Sequence, residues 1–200
     1  MPESLQRSIA GQIEQQQLRQ RTTRLGAPPW GRIAIVILVV VALSVAWAAY
    51  YRSSQQMFQA LCEDHARYLD ARSQVSSSDP NALESWFREK MGFGVRVPVL
   101  GSTELLGGRL CFLRERKAAL VFYRKGERTV SLFQFNGQGV SLRVLNRAES
   151  DGDLLWRMSF KGYSLAAFEH RGIIFALVSD LRESELLELA SAAQIRAKGY

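Results

Sequence analysis

The side chains able to do chemistry are few. The 200 residues include two cysteines and two histidines. Cys62 and His65 stand three apart, the spacing that brings two side chains together on one face of a helix. Cys-x-x-His can open a zinc site, but two ligands are half of what a structural zinc takes. Cys62 and His65 are therefore weak metal candidates, and no cofactor is expected. The competing reading of His65 is a hydrogen-bonded core residue, the commoner fate of a histidine on an apolar helical face. Cys62 and Cys111 could pair as a disulfide in an oxidising compartment, or each could be a small buried hydrophobe. Ser179-Asp180 ends an apolar run just ahead of a helical pattern, which suits capping better than catalysis. The G-x-S-x-G elbow, the GxxxxGK[ST] loop and H-E-x-x-H are absent, so an enzyme is not expected.

The elements that must position these residues are organised around one stretch. Residues 33–51 read IAIVILVVVALSVAWAAYY, with Ser44 the only strongly polar side chain. Nineteen helical residues span about 28 Å, close to the roughly 30 Å hydrocarbon core of a bilayer. The Leu, Ile and Val residues favour insertion by about 3 to 6 kcal/mol. Trp47, Tyr50 and Tyr51 gather at the far end, where amphipathic rings prefer the headgroup level. The run predicts one transmembrane helix. A buried core helix would show a polar face, and none is present. A cleaved signal peptide is the other alternative, because Ala46-Trp47-Ala48 fits a small-x-small pattern; the long charged segment ahead of the run argues against it. Arg19, Arg21, Arg24 and Arg32 precede the run, while Arg52 and Arg67 follow it. That excess predicts a cytoplasmic N-terminus and an outer C-terminal domain.

The net charge of +7 is spread without a run of five like charges, so a nucleic-acid partner is not expected. A basic balance matches anionic lipid headgroups instead. Residues 1–32 read as a polar tail, Gln-rich over 12–20, for which the sequence allows a short amphipathic helix or, equally, a frayed solvated segment. Leu5, Ile9 and Ile13 make a thin apolar stripe, a candidate partner-binding surface. Pro28, Pro29 and Gly31 are expected to break that helix before the membrane.

Residues 52–200 are predicted to form one α+β domain with a mainly antiparallel sheet flanked by helices. A juxtamembrane helix over 53–73 places Phe58, Leu61, Cys62, His65, Tyr68 and Leu69 on one face. Asp79-Pro80 starts a helix to Met91, with Leu83, Trp86, Phe87 and Met91 on its buried side. Gly107-Gly108 reads as a turn. Runs at 110–113 and 118–123 form a hairpin, and 128–135 is a third strand. Residues 140–145 follow a Gly-rich turn, 149–153 read as an acidic loop and 155–161 as a strand. Residues 163–170 and 173–179 flank the hairpin signal Arg171-Gly172. A final helix spans 182–197.

Several blocks in this order carry a resemblance. They are His65-Ala66-Arg67-Tyr68-Leu69, Ser77-Ser78-Asp79 with Trp86-Phe87 and Gly92-Phe93, Val97-Pro98, and Leu106-Gly107-Gly108-Arg109-Leu110. Residues 119–124, Ser131-Leu132-Phe133, Gly162-Tyr163 and Val178-Ser179-Asp180-Leu181 continue the series. Together they resemble the outer domain of proteobacterial membrane-anchored anti-sigma factors, the zinc-finger type of transmembrane transcriptional regulators. The resemblance implies a single-pass protein of the bacterial inner membrane with a periplasmic sensor or docking domain. It also implies a sigma factor as cytoplasmic partner and an unknown periplasmic ligand or protein. The family's H-x-x-x-C-x-x-C motif has no counterpart, because no cysteine or histidine precedes residue 33, and zinc is not implied. Either the start lies downstream of the true one, or the chain is a shortened member. Phe168 stands where the family has Trp, and Glu127-Arg128-Thr129 replaces its histidine. Two functions follow: an anti-sigma-type regulator, or a membrane-tethered periplasmic binding or assembly module with no sigma partner.

Overall fold

The computed structural model describes residues 29–69, 73–150 and 152–198. Leu5, Ile9 and Ile13 lie outside the described residues. Two units divide between Ala48 and Ala49, and each is taken by itself.

Helix α1 runs Pro29–Tyr68. Pro29 and Gly31 lie in the first turn of this helix, while Pro28 and the tail helix expected to end there lie outside the described residues. A helix tolerates proline in its first turn, where the missing N–H would have had no partner. From Ile33 to Val45 every Leu, Ile and Val side chain is exposed, which sets aside a buried core helix. Ser44 returns its hydroxyl to the Val40 carbonyl at 2.7 Å, so the one polar side chain in the run is satisfied within the helix. Among the described residues α1 is the one helix long and apolar enough to cross a bilayer, and residues 33–51 are a candidate membrane span.

The second unit is built on seven antiparallel strands. These are β1 (Glu104–Leu113), β2 (Arg116–Lys125), β3 (Arg128–Asn136), β4 (Asn146–Ser150), β5 (Asp153–Phe160), β6 (Tyr163–His170) and β7 (Ile173–Ser179). Their order is β1-β2-β3-β7-β6-β5-β4. Two local meanders, β1 to β3 and β4 to β7, join along the β3–β7 pairing, where Ser131 faces Val178 and Phe133 faces Ala176. Alternate residues feed opposite faces, and both faces are covered. Phe58, Leu61 and Cys62 of α1 share one core with Leu120, Phe133 and Ala176. Helices α2 (Pro80–Arg88) and α3 (Glu183–Lys198) share the other, through Leu83, Phe87 and Ala190 against Val121, Leu132 and Leu177. Burial on both sides explains why β2 and β7 read as almost unbroken apolar runs. The α+β class and the flanking helices are as the sequence predicts.

Local chemistry sets the edges of these elements. Asp79 caps α2, accepting from the Asn81 N–H at 2.9 Å, with Pro80 at the first helical position. Trp86 is half-buried, its ring edge-on to Phe87 and lying under the Lys90 ammonium. The paired left-handed residues Lys161-Gly162 and Arg171-Gly172 make tight hairpin turns, the conformation whose twist matches the flanking strands.

Gly107-Gly108 is not a turn. It lies inside β1, at a bulge between Leu105 and Gly107. There Val75 pairs with Gly108, with N–H to carbonyl distances of 3.1 and 2.9 Å. The expected helix over 53–73 ends at Tyr68, and Ser73 is already non-helical. Residues 140–145 hold a short 3-10 turn, Leu142–Val144. The acidic stretch from Glu149 falls in β4 and the start of β5. β4 is an edge strand and largely solvated, so polar residues fit it.

An extended strap follows α2 and buries Val95, Val97 and Leu100. Gln134, fully buried on β3, holds the strap with both ends of its amide. Its Oε1 accepts from the Arg96 N–H at 2.9 Å, and its Nε2 donates to the Arg96 carbonyl. Tyr123 donates its hydroxyl to the Pro98 carbonyl at 2.8 Å. Gln134→Leu should cost about 2 kcal/mol, because it strands two backbone groups of Arg96. Urea unfolding of the full chain in nanodiscs checks this; a change below about 0.5 kcal/mol, the size of an ordinary surface substitution, would contradict it.

Candidate functional site

The C-terminal part of α1 lays Phe58, Leu61, Cys62 and His65 on the sheet, at the three- and four-residue spacing of one helical face. His65 is 1% exposed. Its Nδ1 lies 2.8 Å from Ser131 Oγ, and Tyr163 meets the ring edge-on at 5.0 Å between centroids. Ser131 is fully buried on β3, so each of the two polar groups satisfies the other. Burial pushes the His65 pKa down to about 4, against a smaller upward pull from Asp180. His65 is therefore a neutral imidazole at pH 7.

A half-open cavity of about 340 Å³ is lined by His65, Glu127, Arg128, Lys161, Tyr163 and Asp180, among others. Its rim is charged and paired. Arg128 Nη1 donates to the Asp180 carbonyl and lies 3.5 Å from the Asp180 carboxylate. Lys161 Nζ reaches Glu63 Oε1 at 2.7 Å, and that hydrogen bond holds the Glu63 pKa below its usual value. The cavity thus presents two cations, two carboxylates, a phenol and a neutral imidazole. That set can orient a polar ligand; a general base working near neutral pH is not available in His65.

The singled-out residues fall into three places. His65 and Asp180 line this cavity. Ser179 sits beside it, donating to the Thr129 carbonyl at 2.8 Å and accepting from the Leu181 N–H at 3.3 Å. Its hydroxyl thus closes the turn from β7 towards α3. Asp79, Trp86, Gly107 and Gly108 lie on the α2 side and at the β1 bulge, where they support the fold. Arg128, Lys161 and Ser131 join the site although no catalytic or metal-binding motif marks them. Ser131 could have been flagged, because a polar residue inside a strand buried on both faces must find a partner.

Cys62 and Cys111 are free thiols, both buried in the core beneath α1. Burial is the main cause that pushes both up to about 12, Glu63 adding for Cys62 and Asp64 for Cys111. A protonated, buried thiol is a poor metal ligand and a poor nucleophile. Among the described residues no three His, Cys, Asp or Glu side chains gather as a metal site. In the native chain at pH 8 both thiols should resist iodoacetamide, reacting at least about 100-fold more slowly than in denaturant. Mass spectrometry checks this, and rapid native labelling of either cysteine would contradict the buried placement.

No protein family, curated protein or solved structure matches the chain.

Proposed function

We propose that this chain is a single-pass, membrane-anchored regulator of the anti-sigma type. In this reading residues 1–32 act on a sigma factor in the cytoplasm. Residues 33–51 span the bacterial inner membrane, and the domain from residue 52 onward senses or docks a signal in the periplasm. The role is non-enzymatic. The observation that carries the reading is the convergence of separate blocks of the resemblance on one cavity. His65, Gly162, Tyr163 and Asp180 come from three distant parts of the sequence and line the same space. Helix α1 supports it further, because one element holds both the candidate span and His65. A signal entering this cavity regulates only if it binds two states of the domain unequally.

A second reading is a membrane-tethered binding module with no sigma partner. It is favoured by the folded unit having a complete core on each face of its sheet, which lets it work as a binding domain by itself. Affinity capture of the full chain from membranes of its own host separates the two. Stoichiometric recovery of a sigma factor supports the regulator. Recovery of a periplasmic protein and no sigma factor supports the module. Reporter fusions at both ends test the orientation, and a periplasmic N-terminus would sink both readings.

A further inference from the structure

The face of the sheet covered by α2 and α3 carries a second groove. Two cavities, of about 320 and 300 Å³, share Arg96, Phe175 and Ala197 as wall residues. Phe175, Val97 and Ala197 give an apolar floor, 3%, 4% and 7% exposed. Above it stand three guanidiniums, Arg96, Arg171 and Arg196, against a single carboxylate, Glu84. Glu84 is already committed: its Oε1 accepts from the Val97 N–H at 2.9 Å, and its Oε2 lies 3.6 Å from Arg96 Nη1. Arg171 and Arg196 are exposed and take part in none of the ion pairs or side-chain hydrogen bonds among the described residues. His170 lines the groove beside Arg171, and its Nε2 is buried without a hydrogen-bond partner.

The charge balance favours an anion. The C-terminal end of α3 opposes it with about half a negative charge, which the surplus of guanidiniums outweighs. The wall is also preorganised. Gln134, Glu84 and Tyr123 pin the strap that carries Arg96, so little backbone ordering is left for binding to bring about.

We propose that this groove binds a small amphiphilic anion. Its apolar body lies on Phe175 and Val97. Its acid group, a carboxylate or a phosphate, is held by Arg96, Arg171 and Arg196. Guanidinium forks suit both acid groups, and the volume suits a ligand of this size.

Calorimetric titration of the full chain in zwitterionic-lipid nanodiscs tests the proposal, with empty nanodiscs as the blank. The probes are 1-naphthoate, 1-naphthyl phosphate and the neutral 1-naphthalenemethanol. At least one acid should bind about 10-fold or more tightly than the alcohol, and comparison of the two acids identifies the headgroup. Arg171→Gln and Arg196→Gln should each weaken that acid by about 3- to 10-fold without moving the unfolding midpoint, because neither side chain belongs to the core. Equal binding of the alcohol, no heat from either acid up to about 10 mM, or unchanged affinity in both variants would overturn it.

Discussion

Gly107→Ala should remove a large part of the domain's stability. Gly107 sits at φ +142°, where L side chains are strained, and a Cβ there would come within 2.3 Å of the Val75 carbonyl oxygen. That oxygen cannot simply move away, because it accepts from the Gly108 N–H at 2.9 Å. Backbone strain of about 1–3 kcal/mol adds to overpacking of similar size. The expected loss is about 3–5 kcal/mol, a large part of the 5–15 kcal/mol that holds a typical domain. Gly108→Ala should cost less, about 1–3 kcal/mol. Its backbone is ordinary, but the new Cβ would lie 2.8 Å from the ring of the fully buried Phe87. Gly126→Ala is the control, since it has φ +60° with open space around it, and about 1 kcal/mol of backbone strain is expected. Urea unfolding in nanodiscs ranks the three. A Gly107 variant as stable as the Gly126 variant would show that the bulge does not lock the strand.

The second large effect is a loss of stability in acid. The folded pKa of His65 is about 4, below its ordinary 6.5. Between those values the unfolded chain binds the proton and the folded chain does not, so stability rises with pH across that window. The contribution is fully present above pH 6.5, declines as pH falls, and is gone below about 4. Each pKa unit is worth about 1.4 kcal/mol, which makes the effect about 3 kcal/mol. Asp180 opposes the shift. Glu127, Arg128, Lys161 and Tyr163 also line the cavity around the ring, while Glu63 and Asp64 flank it on α1. Subtracting a non-titrating variant isolates the histidine from them. His65→Gln retains a polar partner for Ser131, and its unfolding free energy should fall less than wild type between pH 7 and 4. Parallel pH profiles for the two proteins would refute the assignment.

What was legible in the sequence was local. Asp79-Pro80 announces α2 because capping needs only a side chain and the next few N–H groups. Arg171-Gly172 announces a hairpin because its turn demands left-handed backbone at both positions. Gly107-Gly108 carries the same local signal as a turn. Its actual role depends on Val75 and Phe87, which approach from elsewhere in the fold. Likewise the acidic Glu149 reads as loop until β4 is known to be an edge strand with a solvated face. His65 was visible as a residue on the buried face of a helix. Its partner Ser131 and the charged rim of Arg128 and Lys161 come from strands whose order the sequence does not state.

The order of the strands also bears on how fast the domain assembles. Every pairing within the two meanders joins neighbours in sequence, and such hairpins close in about 1–10 μs. The β3–β7 pairing is different, because β4, β5 and β6 lie between the two strands in the sequence. Closing that long loop comes before any reward from Phe133 against Ala176, so this seam should set the folding rate. A cut in the 137–145 connection would leave each half its own hairpins, and the two halves would then be held together only by this pairing and by the two cores that span it.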